Sequence, residues 1–268
     1  MQQKTAGDLQ VWLKDELSRK IAAPTVAFPH GGTALTLLGL KGSTKDVDFS
    51  FISSDEFERF VHALKQLDYE TTMDIQATRN EHLVRMENSN RRVDVVDLRW
   101  PTWNNWMITK TVLTGALQVP FGNLTLVRLD ENVIFLFKTY PIRDADLADL
   151  RTILDTATLN ERRIIALFDE QDSLHRKELL DADTRHEPLL NILELRVRVA
   201  GSFELLGAEY RKRVPRLAKH AVENFRDLGL DKSLLDLVGI LRSSEGVLSW
   251  DDILGREFET LRNRLAVA

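Results

Sequence analysis

The feature that most limits the fold is a change of hydrophobic period along the chain. Before residue 130, short apolar runs and alternating stretches recur between turn residues; after Asp130, nearly every segment repeats its apolar residues at helical spacing. Residues 25–28, 46–52, 68–76, 82–87, 92–98 and 124–129 read as strands by run or by alternation. Asn88, Ser89, Asn90 and Arg91 supply the turn chemistry of a hairpin between two of them. Leu9, Trp12, Leu13 and Leu17 predict an amphipathic helix over 6–20, and 33–40 a short one. Ser53 with Glu56 offers a capping box that opens a further helix, whose buried stripe is Phe57, Phe60, Val61, Leu64 and Leu67. Beyond Asp130, helical spacing continues through Val133, Phe135 and Leu136, then Leu147, Leu150, Ile153 and Leu154, then Leu189, Ile192, Leu193 and Leu195. Strands first and helices afterwards predict an α+β chain: a mixed sheet with flanking helices in residues 1–120, then an all-helical domain in 121–268.

Composition excludes several kinds of chemistry. The chain has no cysteine, so disulfides, thiolate metal sites and a cysteine nucleophile are ruled out. A net charge of -5 argues against a strongly electrostatic nucleic-acid binder, although a local basic patch is averaged away in that total. With 43% hydrophobic and 29% charged residues, no N-terminal apolar segment and no run near the ~18 apolar residues of a membrane span, a soluble, cytoplasmic protein is expected.

The chemistry is concentrated between Thr25 and Phe49. An apolar run leads to His30-Gly31-Gly32-Thr33, and Asp46 and Asp48 follow in alternation with Val47 and Phe49. Without Cβ atoms, Gly31 and Gly32 let the backbone approach a phosphate closely. The helix that begins there presents N–H groups and a positive end to an anion, with the Thr33 hydroxyl as a further donor. On a strand, residues two apart share a face and lie under ~7 Å from each other, so Asp46 and Asp48 project side by side. Two carboxylates at ~4 Å repel by about 1 kcal/mol in water and about 4 kcal/mol at an effective dielectric of 20. A divalent cation offsets that repulsion, and magnesium favours one or two carboxylates together with substrate phosphates. A phosphate cradle beside a metal site is what phosphoryl or nucleotidyl transfer requires.

These residues resemble the signature of the nucleotidyltransferase superfamily that includes DNA polymerase β. The wording Gly31-Gly32-Thr33-Ala34-Leu35, with Gly39 and then Ser43-Thr44-Lys45-Asp46-Val47-Asp48, is most similar to minimal nucleotidyltransferases of the AbiEii toxin type. The resemblance covers about residues 25–150. It implies that Gly31, Gly32 and Thr33 hold an NTP triphosphate and that Asp46 and Asp48 bind two magnesium ions, with manganese the alternative. It also implies a third acid on a neighbouring strand. Arg92-Val93-Asp94-Val95-Val96-Asp97 offers two, facing opposite ways. Asp94 is favoured because an apolar-flanked carboxylate in mid-strand is costly unless bound to something, and its role would be to bind metal and accept the proton of the attacking hydroxyl. Asp97, nearer the strand end, is the other candidate. Lys138, with Arg143, Asp146 and Asp149, resembles a second AbiEii-type region, which implies that Lys138 contacts the nucleotide phosphates; either Asp144 or Asp146 is the counterpart acid. A hydroxyl on RNA or tRNA, on a protein or on a small molecule would be the acceptor, and an antitoxin the partner.

The remaining features read more simply. His30 is expected to be a hydrogen-bonded structural residue and Lys45 a surface charge. Trp100, Trp103 and Trp106 either stack a base or pack, with packing favoured. Arg211, Lys212, Arg213, Arg216 and Lys219 form a basic run that is either a solvated helix face or an RNA backbone contact. The rival reading of the whole is a nucleotidyltransferase-like module that binds nucleotide or regulates without catalysis. A glycosyltransferase using Asp-x-Asp is disfavoured by the glycine pair on its own upstream turn.

Overall fold

The computed structural model describes residues 3–75, 81–98, 102–103, 106–181, 186–230, 232–243 and 261. The chain divides into two compact units, Met1–Ile134 and Phe135–Ala268.

In the first unit, β1 (Lys4–Thr5) runs into α1 (Ala6–Val11), which continues through a wide turn at Trp12–Leu17 and a tight one at Ser18–Lys20. Thr5 starts that helix with a capping box: its Oγ1 accepts the Asp8 N–H at 3.2 Å, and the Asp8 carboxylate accepts the Thr5 N–H at 2.9 Å. Next come β2 (Thr25–Pro29), α2 (Gly31–Leu37), β3 (Ser43–Thr44), β4 (Val47–Phe51) and α3 (Ser54–Lys65). β5 (Glu70–Ile75), β6 (Glu81–Glu87) and β7 (Arg92–Leu98) form a meander, followed by the short ladder of β8 (Thr102–Trp103) and β9 (Trp106–Met107). α4 (Lys110–Leu113) precedes the hairpin of β10 (Leu117–Phe121) and β11 (Leu124–Arg128).

Seven strands make one mixed sheet in the order β10-β11-β2-β4-β7-β6-β5. β11 runs parallel to β2, and β4 parallel to β7; the other neighbours are antiparallel. The core of this unit is aromatic where α3 meets β4. Phe49, Phe51, Phe57 and Phe60 are buried, and the Phe60 ring centroid lies 5.2 Å from Phe49 and 4.9 Å from Phe51. Burial of each such ring contributes roughly 1.5–3 kcal/mol, so β4 is among the best anchored strands of the sheet.

Two expectations are corrected here. Ser53 precedes α3 but makes no side-chain cap, and Glu56 instead reaches across to β2, where its Oε1 accepts the Val26 N–H at 3.0 Å. A long-range backbone donor has outcompeted the local one. The boundary expected near residue 120 falls inside β10, because the register Leu124↔Thr25 draws the β10–β11 hairpin into the sheet and the first unit runs on to Ile134.

α5 (Glu131–Lys138) crosses that division. The second unit is helical in its described residues: α6 (Asp144–Thr156), α7 (Glu161–Asp181), α8 (His186–Leu206), α9 (Ala208–Arg211), α10 (Pro215–Arg226) and α11 (Leu234–Ser243). Its core gathers Leu189, Ile192, Leu193 and Val197 of α8 with Leu237, Val238 and Leu241 of α11. Ile142, between α5 and α6, has a φ of 49°, rare for a β-branched residue, and its side chain is packed into this same core. α7 and α8 are pinned by a buried pair in which Arg196 donates to both oxygens of Asp172 at 2.6 and 2.7 Å. Among the described residues, no helix is long and apolar enough to cross a membrane.

Candidate nucleotide and metal site

The site is built on the β2–α2 turn and the parallel pair β4–β7. β2 ends at Pro29, and Gly31 then takes a φ of 56°, in the left-handed region that glycine enters without penalty. The reason for glycine at both positions is local. A Cβ on Gly31 would lie 2.8 Å from Asp48 Oδ2, and one on Gly32 would lie 2.6 Å from Thr44 Oγ1. The turn is thus closed down on β4. The His30 N–H donates to Asp48 O at 3.2 Å, and the Asp48 N–H donates to Thr33 Oγ1 at 2.9 Å. Thr33 is fully buried, and its hydroxyl also lies 3.3 Å from Asp46 O. The hydroxyl expected to donate to a phosphate is therefore committed to β4, where it fixes the strand that carries the acids.

Register brings Asp48 to Asp94, and Asp46, just before β4, reaches Arg92 of β7. Asp46 and Asp48 are two residues apart, and Asp48 lies directly opposite Asp94 across the parallel β4–β7 pair. Neighbouring strands are about 4.8 Å apart, so this places two carboxylate-bearing positions side by side. Asp97 has the opposite parity. It is 3% exposed, and its Oδ2 accepts the Ser54 hydroxyl at 2.8 Å at the start of α3. Of the two candidates, Asp94 is the one that shares a face with Asp48.

Sequence reading missed the cations on this face. Arg85 of β6 grips Asp94 with its fork, Nε to Oδ1 at 2.7 Å and Nη2 to Oδ2 at 2.8 Å. That charge-assisted pair, with desolvation opposing it, holds the Arg85 guanidinium pKa above its ordinary value. Arg92 of β7 pairs with Asp46 through Nη2. The first pair is legible in sequence, because a hairpin turning at residues 88–91 sets Arg85 opposite Asp94; the Arg92–Asp46 pair depends on β4 lying beside β7. Among the described residues, no group of three or more His, Cys, Asp or Glu side chains is converged as a metal ligand set.

Even so, the residues fit a hard divalent cation. Asp46 Oδ1 is buried without a hydrogen-bond partner, although a buried carboxylate oxygen normally has one. The Gly31 backbone lies directly against the Asp48 carboxylate, where a Cβ would collide with Oδ2 at 2.8 Å. Carboxylate oxygens are the donors that magnesium and manganese take.

Lys138, expected on nucleotide phosphates, ends α5 and is held in the second unit by Asp146 at 2.7 Å and Asp149 at 2.8 Å. Arg143 closes the network on Asp146 at 2.6 Å. Asp144 is 86% exposed at its side chain and pairs with Arg242, so Asp146 is the acid that meets the lysine. Burial acts to lower the Lys138 pKa, but the two carboxylates outweigh it and leave the pKa above its usual value. Burial likewise pushes the Asp146 pKa up, and Lys138 with Arg143 more than offsets it, so the carboxyl sits below its ordinary range.

The other residues are placed simply. Lys45 is exposed. Trp106 is fully buried, which is a packing role, and Trp100 lies outside the described residues. The basic run does not lie on one helix: α9 ends at Arg211 and α10 begins at Pro215. Arg211 and Arg213 pair with Glu204 of α8 and Asp155 of α6, and of these three only Lys219 pairs along its own helix, with Glu223.

Comparison with known proteins adds no relative to this geometry: no family model, curated protein or solved structure matches the chain.

Proposed function

We propose that the protein is a metal-dependent nucleotidyltransferase that moves a nucleoside monophosphate from an NTP to a hydroxyl and releases pyrophosphate. The observation that carries this reading is the opposition of Asp48 and Asp94 across β4–β7, with Asp46 immediately before β4 and the Gly31–Gly32 turn closed on Asp48. The same observation supports a nucleotidyltransferase-like fold for the first unit. Asp46, Asp48 and Asp94 would hold two magnesium or manganese ions, which when bound neutralise phosphate charge and make a hydroxyl a stronger nucleophile. The α2 N-terminus and the glycine backbone bind and orient the triphosphate. Asp94 takes the proton of the acceptor hydroxyl as the new P–O bond forms and the bond to pyrophosphate breaks. Lys138 ties α5 to α6 through Asp146 and Asp149 and is given no contact with the nucleotide. RNA, including tRNA, protein and small molecules all carry acceptor hydroxyls, and a toxin with an antitoxin partner in the cytoplasm is the setting that the resemblance implies.

The test is transfer of label from each α-labelled NTP, with magnesium or manganese, to tRNA, total RNA or lysate protein. Labelled acceptor is the expected result. Its absence under every condition, from protein that is folded, would refute the enzyme. One observation favours the rival reading of a non-catalytic nucleotide-binding or regulatory module, namely the neutralisation of Asp46 and Asp94 by Arg92 and Arg85. That reading predicts NTP binding without transfer.

A further inference from the structure

The charges on the acidic face alternate as a lattice. One row across the strands reads Asp48, Asp94, Arg85, and the next has Arg92 beside Glu87, with Asp46 reaching Arg92. Asp46, Asp48, Asp94 and Glu87 thus share these two rows with the guanidiniums of Arg85 and Arg92, and the Lys41 ammonium lies near the glycine turn beside them.

The two pairs are not alike, and neither resembles the sealed pairs of the second unit. Arg196 is completely buried, and Asp172 satisfies its fork. Arg85 and Arg92 keep 24% and 23% of their side chains exposed, so a displaced guanidinium has water to enter. The Arg92 pair is also incomplete. Arg92 Nε and Asp46 Oδ1 are both buried and have no hydrogen-bond partner. Each unmet buried donor or acceptor is unfavourable; Oδ1 of Asp97, off this face, shares that status. A ligand that approaches Oδ1 of Asp46 would complete it.

We propose that Arg85 and Arg92 are built-in counter-ions of the carboxylate site, and that a divalent cation binds to Asp46, Asp48 and Asp94 by displacing them. The proposal rests on the metal-site reading above and adds its control. Cation binding becomes an exchange in which two ion pairs are broken, so the arginines set how much free cation is needed to load the site. Without them the carboxylates repel one another at full strength, and a divalent ion gains more by entering. At low cation the two ion pairs hold the face, and cation itself opens them.

The experiment is calorimetric titration of the full chain with MnCl2, and separately MgCl2, without nucleotide. Arg85→Gln and Arg92→Gln are compared with wild type, and Arg19→Gln, which removes an exposed cation paired with Asp15, is the control for net charge. A released charge-assisted pair corresponds to roughly tenfold in affinity. Arg85→Gln and Arg92→Gln are each expected to bind Mn2+ about tenfold tighter than wild type. Arg19→Gln should bind as wild type does, and Asp46→Asn with Asp48→Asn should not bind. If either glutamine variant does not fold, by circular dichroism, the corresponding Arg→Lys variant replaces it. It keeps the charge and loses the fork, so an intermediate gain is expected. Equal affinity in wild type and the arginine variants overturns the counter-ion proposal and leaves the metal site standing. No Mn2+ binding by any variant at millimolar concentration overturns both.

Discussion

Gly31→Ala tests how tightly the β2–α2 turn is closed on the acids. The added methyl meets two obstacles. At a φ of 56° an alanine is in the left-handed region, which costs about 1–2 kcal/mol. Its Cβ would also lie 2.8 Å from Asp48 Oδ2, so the carboxylate must leave its present position. Forcing a side chain off its rotamer costs about 0.5–1.5 kcal/mol. Together these give a loss of about 1.5–3.5 kcal/mol, or roughly 5–15 °C in melting temperature for a unit of this size. The second contribution needs Asp48, and the first does not. Urea denaturation followed by circular dichroism on wild type, Gly31→Ala, Asp48→Ala and the double variant therefore separates them as a double-mutant cycle. In the Asp48→Ala background, Gly31→Ala should cost only the backbone part, about 1–2 kcal/mol, a coupling of about 0.5–1.5 kcal/mol. An identical loss in both backgrounds would refute the argument that glycine stands there to make room for the carboxylate.

Two further predictions concern the lysine network. Lys138→Met strands Asp146 and Asp149 in a buried setting and should destabilise the second unit by about 3–5 kcal/mol in urea; a loss below about 1 kcal/mol, with NTP affinity falling instead, would return Lys138 to the nucleotide. Asp146 has a folded pKa below its unfolded value of about 3.9, so its stabilisation is complete above that pH and is lost as pH falls through the folded value. Wild type should lose stability on acidification below about pH 4, and Asp146→Asn should lose less over the same range.

Much of this was legible because period and turn chemistry agree. The alternation from Asp46 to Phe51 and the paired runs around residues 88–91 set strand identity and parity, and parity alone separates Asp94 from Asp97. The roles of Arg85 and Arg92 are not visible in single strands, because they depend on what register places opposite. Ser53 and Glu56 matched a local capping pattern, but the choice between a nearby N–H and that of Val26 is made by tertiary packing. Thr33 was read as a ligand donor for a similar reason: a hydroxyl after a glycine turn suits a phosphate, and nothing local shows that β4 closes on it. Lys138 drew a role from its neighbours in sequence, whereas Asp146 and Asp149, one turn apart on α6, decide where its charge goes.

The central claim is that Asp46, Asp48 and Asp94 form one functional group, with Asp97 outside it. The most direct measurement is the rate of transfer from α-labelled NTP by Asp94→Asn and by Asp97→Asn, at saturating Mn2+ and with the acceptor that wild type labels. The account predicts that Asp94→Asn loses transfer by at least about a hundredfold while remaining folded. Asp97→Asn, which alters only the Ser54 contact, should keep a rate within a few-fold of wild type. Transfer that survives Asp94→Asn and vanishes with Asp97→Asn would contradict the site.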